Sequence, residues 1–137
     1  MLESDVPDFT GFSHVALTVT DLDRTKQWYA DVLGWEPLME GEDNGIRFAF
    51  GILAGGQVGV GLRQHSDGDG SAFSANRTGL DHISFAVGSR ADLEAWAQRF
   101  GDKGVDFSPI VDAPYGAVLS FKDPDGLALE AFAPLGT

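Results

Sequence analysis

The 137-residue chain contains no cysteine and few basic residues. Without cysteine it cannot form a disulfide, a thiolate metal site or a thiol nucleophile. Its 9 lysine and arginine residues stand against 21 aspartate and glutamate residues, so the net charge is −12. A surface of this charge repels nucleic-acid phosphates and anionic lipid headgroups. We therefore expect no nucleic-acid partner and no membrane partner.

Long hydrophobic runs are also missing from the chain. No apolar stretch approaches the roughly 18 residues that a membrane span requires. The acidic start at residues 1–10 lacks the basic and apolar regions of a secretory signal, so we expect a cytoplasmic protein. Hydrophobic residues make up 43% of the chain and charged residues 22%, which is typical of one globular domain with a proper core.

The sequence contains an internal repeat. Residues 79–87 (GLDHISFAV) match residues 11–19 (GFSHVALTV), and the offset is 82 − 14 = 68 residues. In each copy a histidine, His14 or His82, opens a run in which every second residue is apolar. This alternation predicts a strand with one face on the core, so each histidine lies on the opposite face. Matching histidines in two half-domains predict one site shared between the halves.

The order of predicted elements is the same in both halves. In the first half we predict a strand at 12–20, a helix at 22–32 and strands at 35–40, 46–53 and 57–63. In the second half we predict a strand at 82–87, a helix at 91–100 and strands at 105–111, 115–121 and 127–132. Trp28 and Trp96 are also 68 residues apart, and each is predicted to lie under its own sheet.

These elements predict a single α+β domain built from two tandem βαβββ modules. Residues 1–10 form a tail, 11–64 the first module, 65–78 a linker and 79–134 the second module. The linker is rich in glycine, serine and aspartate, a composition that buries too little apolar surface to order itself.

Three side chains that can bind a metal lie in the predicted strands. His14, His82 and Glu130 each lie on the face opposite the apolar residues that pack under the helices. A carboxylate inside an apolar strand is costly unless a cation or strong donors satisfy it. Two imidazoles and one carboxylate are the ligand set of non-haem iron(II) sites and of catalytic zinc. The alternative is that both histidines form hydrogen bonds within the core and that Glu130 pairs with a lysine or arginine.

Several segments resemble the vicinal oxygen chelate superfamily, which includes glyoxalase I, bleomycin-resistance proteins, fosfomycin-modifying enzymes and extradiol dioxygenases. These segments are SHVAL at 13–17, WY at 28–29, VLGW at 32–35, DPDG at 123–126 and LE at 129–130. The resemblance covers residues 12–134. It implies that the curved sheets of two βαβββ modules enclose a cavity, which a homodimer often completes. It also implies a divalent ion bound by residues on the first and last strands of each module.

Carried over by position, the resemblance assigns His14, His82 and Glu130 as ligands of a divalent ion, which could be iron, zinc, manganese or nickel. It makes Glu130 and Tyr115 the candidate catalytic residues. Tyr115 is the one candidate acid, and the alternative is a strand aromatic whose hydroxyl faces water. Gly61 stands where glyoxalase I has a glutamate, so a four-ligand glyoxalase site is broken.

Two classes of function remain open, and both include a homodimer because open sheet edges are usually paired or covered. In the first, a metal-dependent enzyme of the lyase, isomerase or dioxygenase type acts on a small substrate with vicinal oxygens. In the second, a metal-free protein of the bleomycin-resistance type sequesters a drug or metabolite in an aromatic cavity. The candidate lining residues of that cavity are Trp35, Phe48, Phe50, Phe107 and Tyr115. The retained trio of metal-binding side chains favours the enzyme.

Overall fold

The computed structural model describes residues 5–136, so the predicted tail at 1–10 lies partly outside this range. The elements are β1 (His14–Thr18), α1 (Leu22–Leu33), β2 (Glu36–Asp43), β3 (Ile46–Ile52), β4 (Gly59–His65), β5 (Ile83–Ala86), α2 (Arg90–Lys103), β6 (Val111–Ala113), β7 (Gly116–Lys122) and β8 (Ala128–Pro134). They form two four-stranded sheets with the orders β1-β4-β3-β2 and β5-β8-β7-β6. We call these modules 1 and 2. The predicted α+β class and its two βαβββ modules are confirmed.

Each module is assembled in the same way. The first strand pairs in parallel with the last, β1 with β4 and β5 with β8, and the other pairs are antiparallel. A helix crosses between the first and second strands, and it covers one face of the sheet. The apolar residues of the strands point toward that helix, so the opposite face, which we call the open face, carries the polar side chains.

Helix α1 begins where the sequence predicts and ends one residue later, at Leu33. The side chain of Asp21 accepts a hydrogen bond from the backbone N–H of Arg24, and Gly34 ends the helix in the left-handed conformation with φ 68°. The prediction that Trp28 lies under the sheet is only partly right. Tyr29 is the fully buried aromatic, whereas Trp28 is partly buried at the edge of the core. Tyr29 takes the inner position because a buried acceptor satisfies its hydroxyl there.

That acceptor is Asp123, which belongs to the other module. The hydroxyl of Tyr29 donates to Asp123 Oδ2 at 2.8 Å, and Asp123 Oδ1 accepts from the N–H groups of Asp125 and Leu127. The backbone N–H of Thr20 donates to Asp125 Oδ2 at 3.0 Å. The turn between β7 and β8 is therefore held against β1 and α1 by hydrogen bonds that join the modules.

Helix α2 is longer than predicted. It begins after Ser89, whose hydroxyl accepts from the N–H of Asp92, and it continues to Lys103 rather than stopping at residue 100. Its last turn is held by module 1, since Lys103 pairs with Asp31 at 2.6 Å and Arg99 donates to the carbonyl of Val32 at 2.8 Å. The helix stops at Gly104, which has the left-handed conformation with φ 69° that commonly ends a helix.

The prediction of a strand at 105–111 is wrong. Strand β6 covers only Val111–Ala113, and the preceding segment makes one isolated bridge between Phe107 and Phe121. Pro109 has no N–H for a ladder, and the ring of Phe107 packs on Phe100 at 5.9 Å between centroids.

No helix within residues 5–136 is long and apolar enough to cross a membrane.

Candidate metal and substrate site

Glu130 lies in the middle of the open face of module 2. Strand pairing places Ser84 of β5 on one side of it and Ser120 of β7 on the other. His82 directly precedes β5, and its Nε2 atom is 3.6 Å from Glu130 Oε1. The side chain of Glu130 is 22% exposed and that of His82 is 46% exposed. The structure therefore brings two of the three predicted ligands together in a place that solvent can reach.

Asp81 orients the imidazole of His82. Its Oδ1 atom is 2.7 Å from His82 Nδ1. A carboxylate can only accept, so Nδ1 carries a proton and the lone pair of the neutral ring lies on Nε2, next to Glu130. The hydrogen bond to Asp81 is the main reason that the pKa of His82 is raised above its usual value, and the charge of Glu130 adds to the rise, while desolvation partly opposes it.

His14 occupies the corresponding place in module 1. Its Nδ1 atom is 2.9 Å from the hydroxyl of Ser13, and its ring packs edge-on against Phe50 at 5.5 Å between centroids. In both modules, then, the residue before the histidine contacts Nδ1 and leaves Nε2 available. The difference is that Ser13 is neutral, whereas its counterpart Asp81 carries a charge.

Gly61 is the structural counterpart of Glu130. Ala16 pairs with Gly61 in the parallel ladder of module 1, and Ser84, which is 84 − 16 = 68 residues later, pairs with Glu130 in module 2. This register agrees with the alignment made from the sequence. A Cβ at Gly61 would lie 3.6 Å from Cδ2 of Phe50, so an aromatic ring borders the place that the carboxylate fills in module 2.

The third predicted ligand does not join the other two within one chain. Across residues 5–136, no three histidine, cysteine, aspartate or glutamate side chains lie close enough together to hold a metal ion. His14 and His82 do border the same cavity, which has a volume of about 420 Å³ and lies between β1 and β5. His14 is exposed beside this cavity, on a strand that pairs only with β4.

The aromatic residues proposed to line a binding cavity fall into two groups. Trp35 is buried and donates from Nε1 to the carbonyl of Val60 at 3.0 Å, so it lines neither open face. Phe107 is partly buried against the core, and it borders a cavity of about 230 Å³ that His82 and Glu130 also line. Phe48 and Phe50 do lie on the open face of module 1. Tyr115 is exposed and stacks on Phe132 at 5.9 Å, beside the open face of module 2.

Sequence reasoning missed two residues of the site. Asp81 went unnoticed, although an acidic residue next to a candidate ligand histidine is a signal for an orienting hydrogen bond. Arg63 was also missed. It lies on the open face of module 1, with its guanidinium carbon 5.9 Å from the centroid of Phe48. Only the pairing of β3 with β4 shows that Arg63 and Phe48 share a face.

The geometry agrees with the comparison to known proteins. Residues 11–131 match the sequence model of the glyoxalase/bleomycin resistance protein/dioxygenase superfamily. The chain belongs to this superfamily. A crystal structure of a superfamily domain from Frankia sp. EAN1pec has a TM-score of 0.87 and 41% identity, covering 93% of this chain and 99% of that one.

Two proteins of Bacillus subtilis are more distantly similar to this chain. The uncharacterized protein YwkD of Bacillus subtilis (strain 168) is 28% identical over 123 residues, covering 87% of this chain and 93% of YwkD. The putative ring-cleaving dioxygenase MhqA of the same organism is 25% identical over 137 residues, and the match spans only 42% of its length.

A solved structure of the fosfomycin resistance protein FosX from Listeria monocytogenes, in a mutant form, contains Mn(II) and 1S,2S-dihydroxypropylphosphonic acid. It has a TM-score of 0.71 and 19% identity, and the match covers 94% of each chain. At this identity the likeness shows the shared fold alone.

Proposed function

We propose that the protein is a metal-dependent enzyme that acts on a small substrate with vicinal oxygens. The observation that carries this proposal is the approach of His82 Nε2 to Glu130 Oε1, 3.6 Å apart on an open sheet face. Both atoms are ordinary ligands of a divalent ion, and Asp81 holds the imidazole in the tautomer that coordination needs.

The surroundings of Glu130 support a cation rather than a structural ion pair. Within residues 5–136, no lysine or arginine forms an ion pair with Glu130, and its nearest ionisable neighbour is the imidazole of His82. Lys122 lines the same cavity without pairing with Glu130. The alternative in which Glu130 pairs with a lysine or arginine therefore has no support within these residues. A carboxylate that is largely withdrawn from water, next to a free Nε2 atom, fits a divalent ion.

We infer that a second copy of the chain supplies His14. The cavity beside His14 lies between β1 and β5, and each of these strands pairs on one side only. A homodimer would cover these edges and bring His14 of one copy toward His82 and Glu130 of the other. Light scattering across a dilution series should give a mass about twice 14.6 kDa; a monomer at micromolar concentration contradicts the dimer.

When bound, the ion would supply Lewis-acid polarisation of a substrate oxygen. The protein residues would orient the substrate around it. Ser84 and Ser120 flank Glu130 on the neighbouring strands, and their hydroxyls can donate to a substrate oxygen. Tyr115 would be the acid, because Phe132 holds its ring beside the same face. These roles suit a lyase, an isomerase or a dioxygenase of this superfamily.

A second candidate function is metal-free binding of a drug or metabolite. Phe48 and Phe50 on the open face of module 1 favour it, since exposed aromatic rings bind flat apolar ligands. The two candidates differ in whether the protein retains a divalent ion.

Metal analysis separates the two functions. The protein should be purified without chelator or affinity tag and its metal content measured by plasma mass spectrometry. The enzyme predicts about one divalent ion per chain and its loss in Glu130→Gln. The same substitution at Glu94, on the exposed surface of α2, is the control. A wild-type protein that neither retains nor takes up iron, zinc, manganese or nickel contradicts the enzyme.

A further inference from the structure

Arg63 is an unusual cation in this acidic chain. Most basic side chains are held by carboxylates or backbone carbonyls, namely Arg24, Lys26, Arg47, Arg90, Arg99 and Lys103. Arg63 is partly buried, and among residues 5–136 no carboxylate forms an ion pair with its side chain. Its contact is the ring of Phe48, 5.9 Å from the guanidinium carbon to the centroid.

The stacking on Phe48 leaves the donors of Arg63 available. A guanidinium has five N–H groups around its edge, and packing on an aromatic ring uses its face. Phe48 is itself held in place, because it pairs with Gly41 and a Cβ at position 41 would lie 2.9 Å from its Cζ atom. The guanidinium is therefore supported from below and has hydrogen-bonding capacity to spare.

Arg63 and the candidate ligand His14 share the open face of module 1. His14 pairs with Gly59, and Thr18, four residues further along β1, pairs with Arg63. Four residues of strand correspond to about 13 Å. Between them the open face carries Ala16 and the buried Gly61, with the ring of Phe50 3.6 Å from the place of a Cβ at Gly61. A ligand could lie against this aromatic ring from one level to the other.

We propose that Arg63 binds a carboxylate of the substrate, at the end opposite the vicinal oxygens. This inference rests on the proposed function for the position of the vicinal oxygens. Arg63 would then select an anionic substrate through a bidentate pair. The site would bind an anion even though the net charge of the chain is −12.

Calorimetric titration with two matched probes tests the inference. One is 3,4-dihydroxyphenylacetate, which has vicinal oxygens and a carboxylate, and the other is its uncharged amide. Both are titrated into the metal-free protein and into the protein with Mn(II). The wild-type protein should bind the acid more tightly than the amide. Arg63→Met should weaken binding of the acid by roughly ten- to a hundredfold without changing the affinity for the amide. Arg63→Lys should lie in between.

Arg47→Met is the matched control. Arg47 lies on the neighbouring strand and pairs with Asp23 of α1, on the helix side of the sheet. The substitution makes the same charge change, and the preference for the acid should remain. Gly41→Ala keeps every charge but displaces Phe48, and it should weaken binding of the acid.

Three results overturn the inference. In the first, the acid and the amide bind equally or not at all. In the second, Arg63→Met has the same effect on binding as Arg47→Met. In the third, Arg63→Met dissociates a dimer without changing the preference for the acid, which would assign Arg63 to a contact between copies. The metal site is judged separately. If Mn(II) and Glu130→Gln have no effect while the Arg63-dependent preference persists, the proposed enzyme fails and the carboxylate site stands.

Discussion

Modules 1 and 2 have the same topology but opposite chemistry on their open faces. In module 2 the repeat carries His82 and Glu130, the proposed ligands of a cation, and Asp81, which contacts His82 Nδ1. In module 1 the equivalent histidine has the neutral neighbour Ser13, and Gly61 replaces the carboxylate. The half that lacks the carboxylate has an aromatic surface and a free guanidinium instead. The two proposals would therefore divide the work between the halves, with metal binding in module 2 and substrate recognition in module 1.

Removing the proposed ligands should break the contrast completely. Glu130→Ala and His82→Ala should each reduce affinity for a divalent ion by more than about a hundredfold, because each removes one of the two ligands that a single chain supplies. Calorimetric titration of Mn(II) into metal-free protein measures this effect. Glu94→Ala on α2 is the control. Unchanged affinity in either site variant would remove these residues from the ligand set.

Separating the modules should have the next largest effect. Asp123→Ala leaves the Tyr29 hydroxyl and two backbone N–H groups without their acceptor. The free energy of unfolding should fall by about 3 kcal/mol, as expected for a buried hydrogen-bond network. Urea denaturation measures it. Asp112→Ala, which removes an exposed partner of Arg90, should cost less than about 1 kcal/mol. Equal losses would show that the buried network stabilises the chain no more than an exposed ion pair does.

The same carboxyl predicts how stability depends on pH. Burial raises the pKa of Asp123 above its ordinary value, so the folded chain holds this proton at a pH where the unfolded chain has released it. The free energy of unfolding therefore decreases as pH rises from the ordinary aspartate pKa through the raised one. Asp123→Asn should remove this part of the pH dependence. A profile identical to that of wild type would contradict the shift.

Changing the residue before each histidine should sharpen the comparison. Asp81→Ala removes the group that fixes the tautomer of His82, and metal affinity should fall by about ten- to a hundredfold. Ser13→Ala should have a smaller effect, because a hydroxyl can either donate to or accept from Nδ1 and so fixes the tautomer less firmly. Titration of Mn(II) into both variants compares them. A larger loss from Ser13→Ala would reverse the assignment of roles.

Placing a carboxylate at Gly61, where module 2 has Glu130, should make the modules more alike. We expect its effect on metal affinity to be the smallest of those described. A Cβ at Gly61 would be 3.5 Å from Ala16 Cβ and 3.6 Å from Phe50 Cδ2, which are ordinary contacts, so Gly61→Glu should fold. If it adds a ligand, metal affinity should rise by up to about tenfold.

Gly59→Glu is the control for this change. A Cβ there would be 2.9 Å from Phe50 Cζ and 3.2 Å from His14 Cβ, so it should disturb His14 and weaken binding. The assignment of Gly61 as the counterpart of Glu130 fails if both variants have the same effect on metal affinity.

The sequence predicts the repeated parts of the molecule well. The caps of the helices follow from local chemistry. So does the hairpin turn, in which Asn44 and Gly45 both have positive φ. The choice of Tyr29 over Trp28 as the inner aromatic does not, because it depends on Asp123, which is 94 residues away in the chain. The pairing of His82 with Glu130 could be predicted from strand alternation, whereas the separation of His14 depends on how two whole modules pack.

The outer strand β2 has a consequence for how the protein behaves at high concentration. It is exposed along all of its residues, Glu36–Asp43, and it ends the sheet of module 1. Leu38 and Met39 are exposed apolar residues that favour pairing of this edge with a strand of another molecule. Pro37 opposes that pairing because it lacks an N–H group, and the acidic residues around it oppose it by electrostatic repulsion. Salt screens that repulsion without changing the fold. Self-association into aggregates should therefore begin at this edge, and it should be promoted by ionic strength rather than by loss of stability.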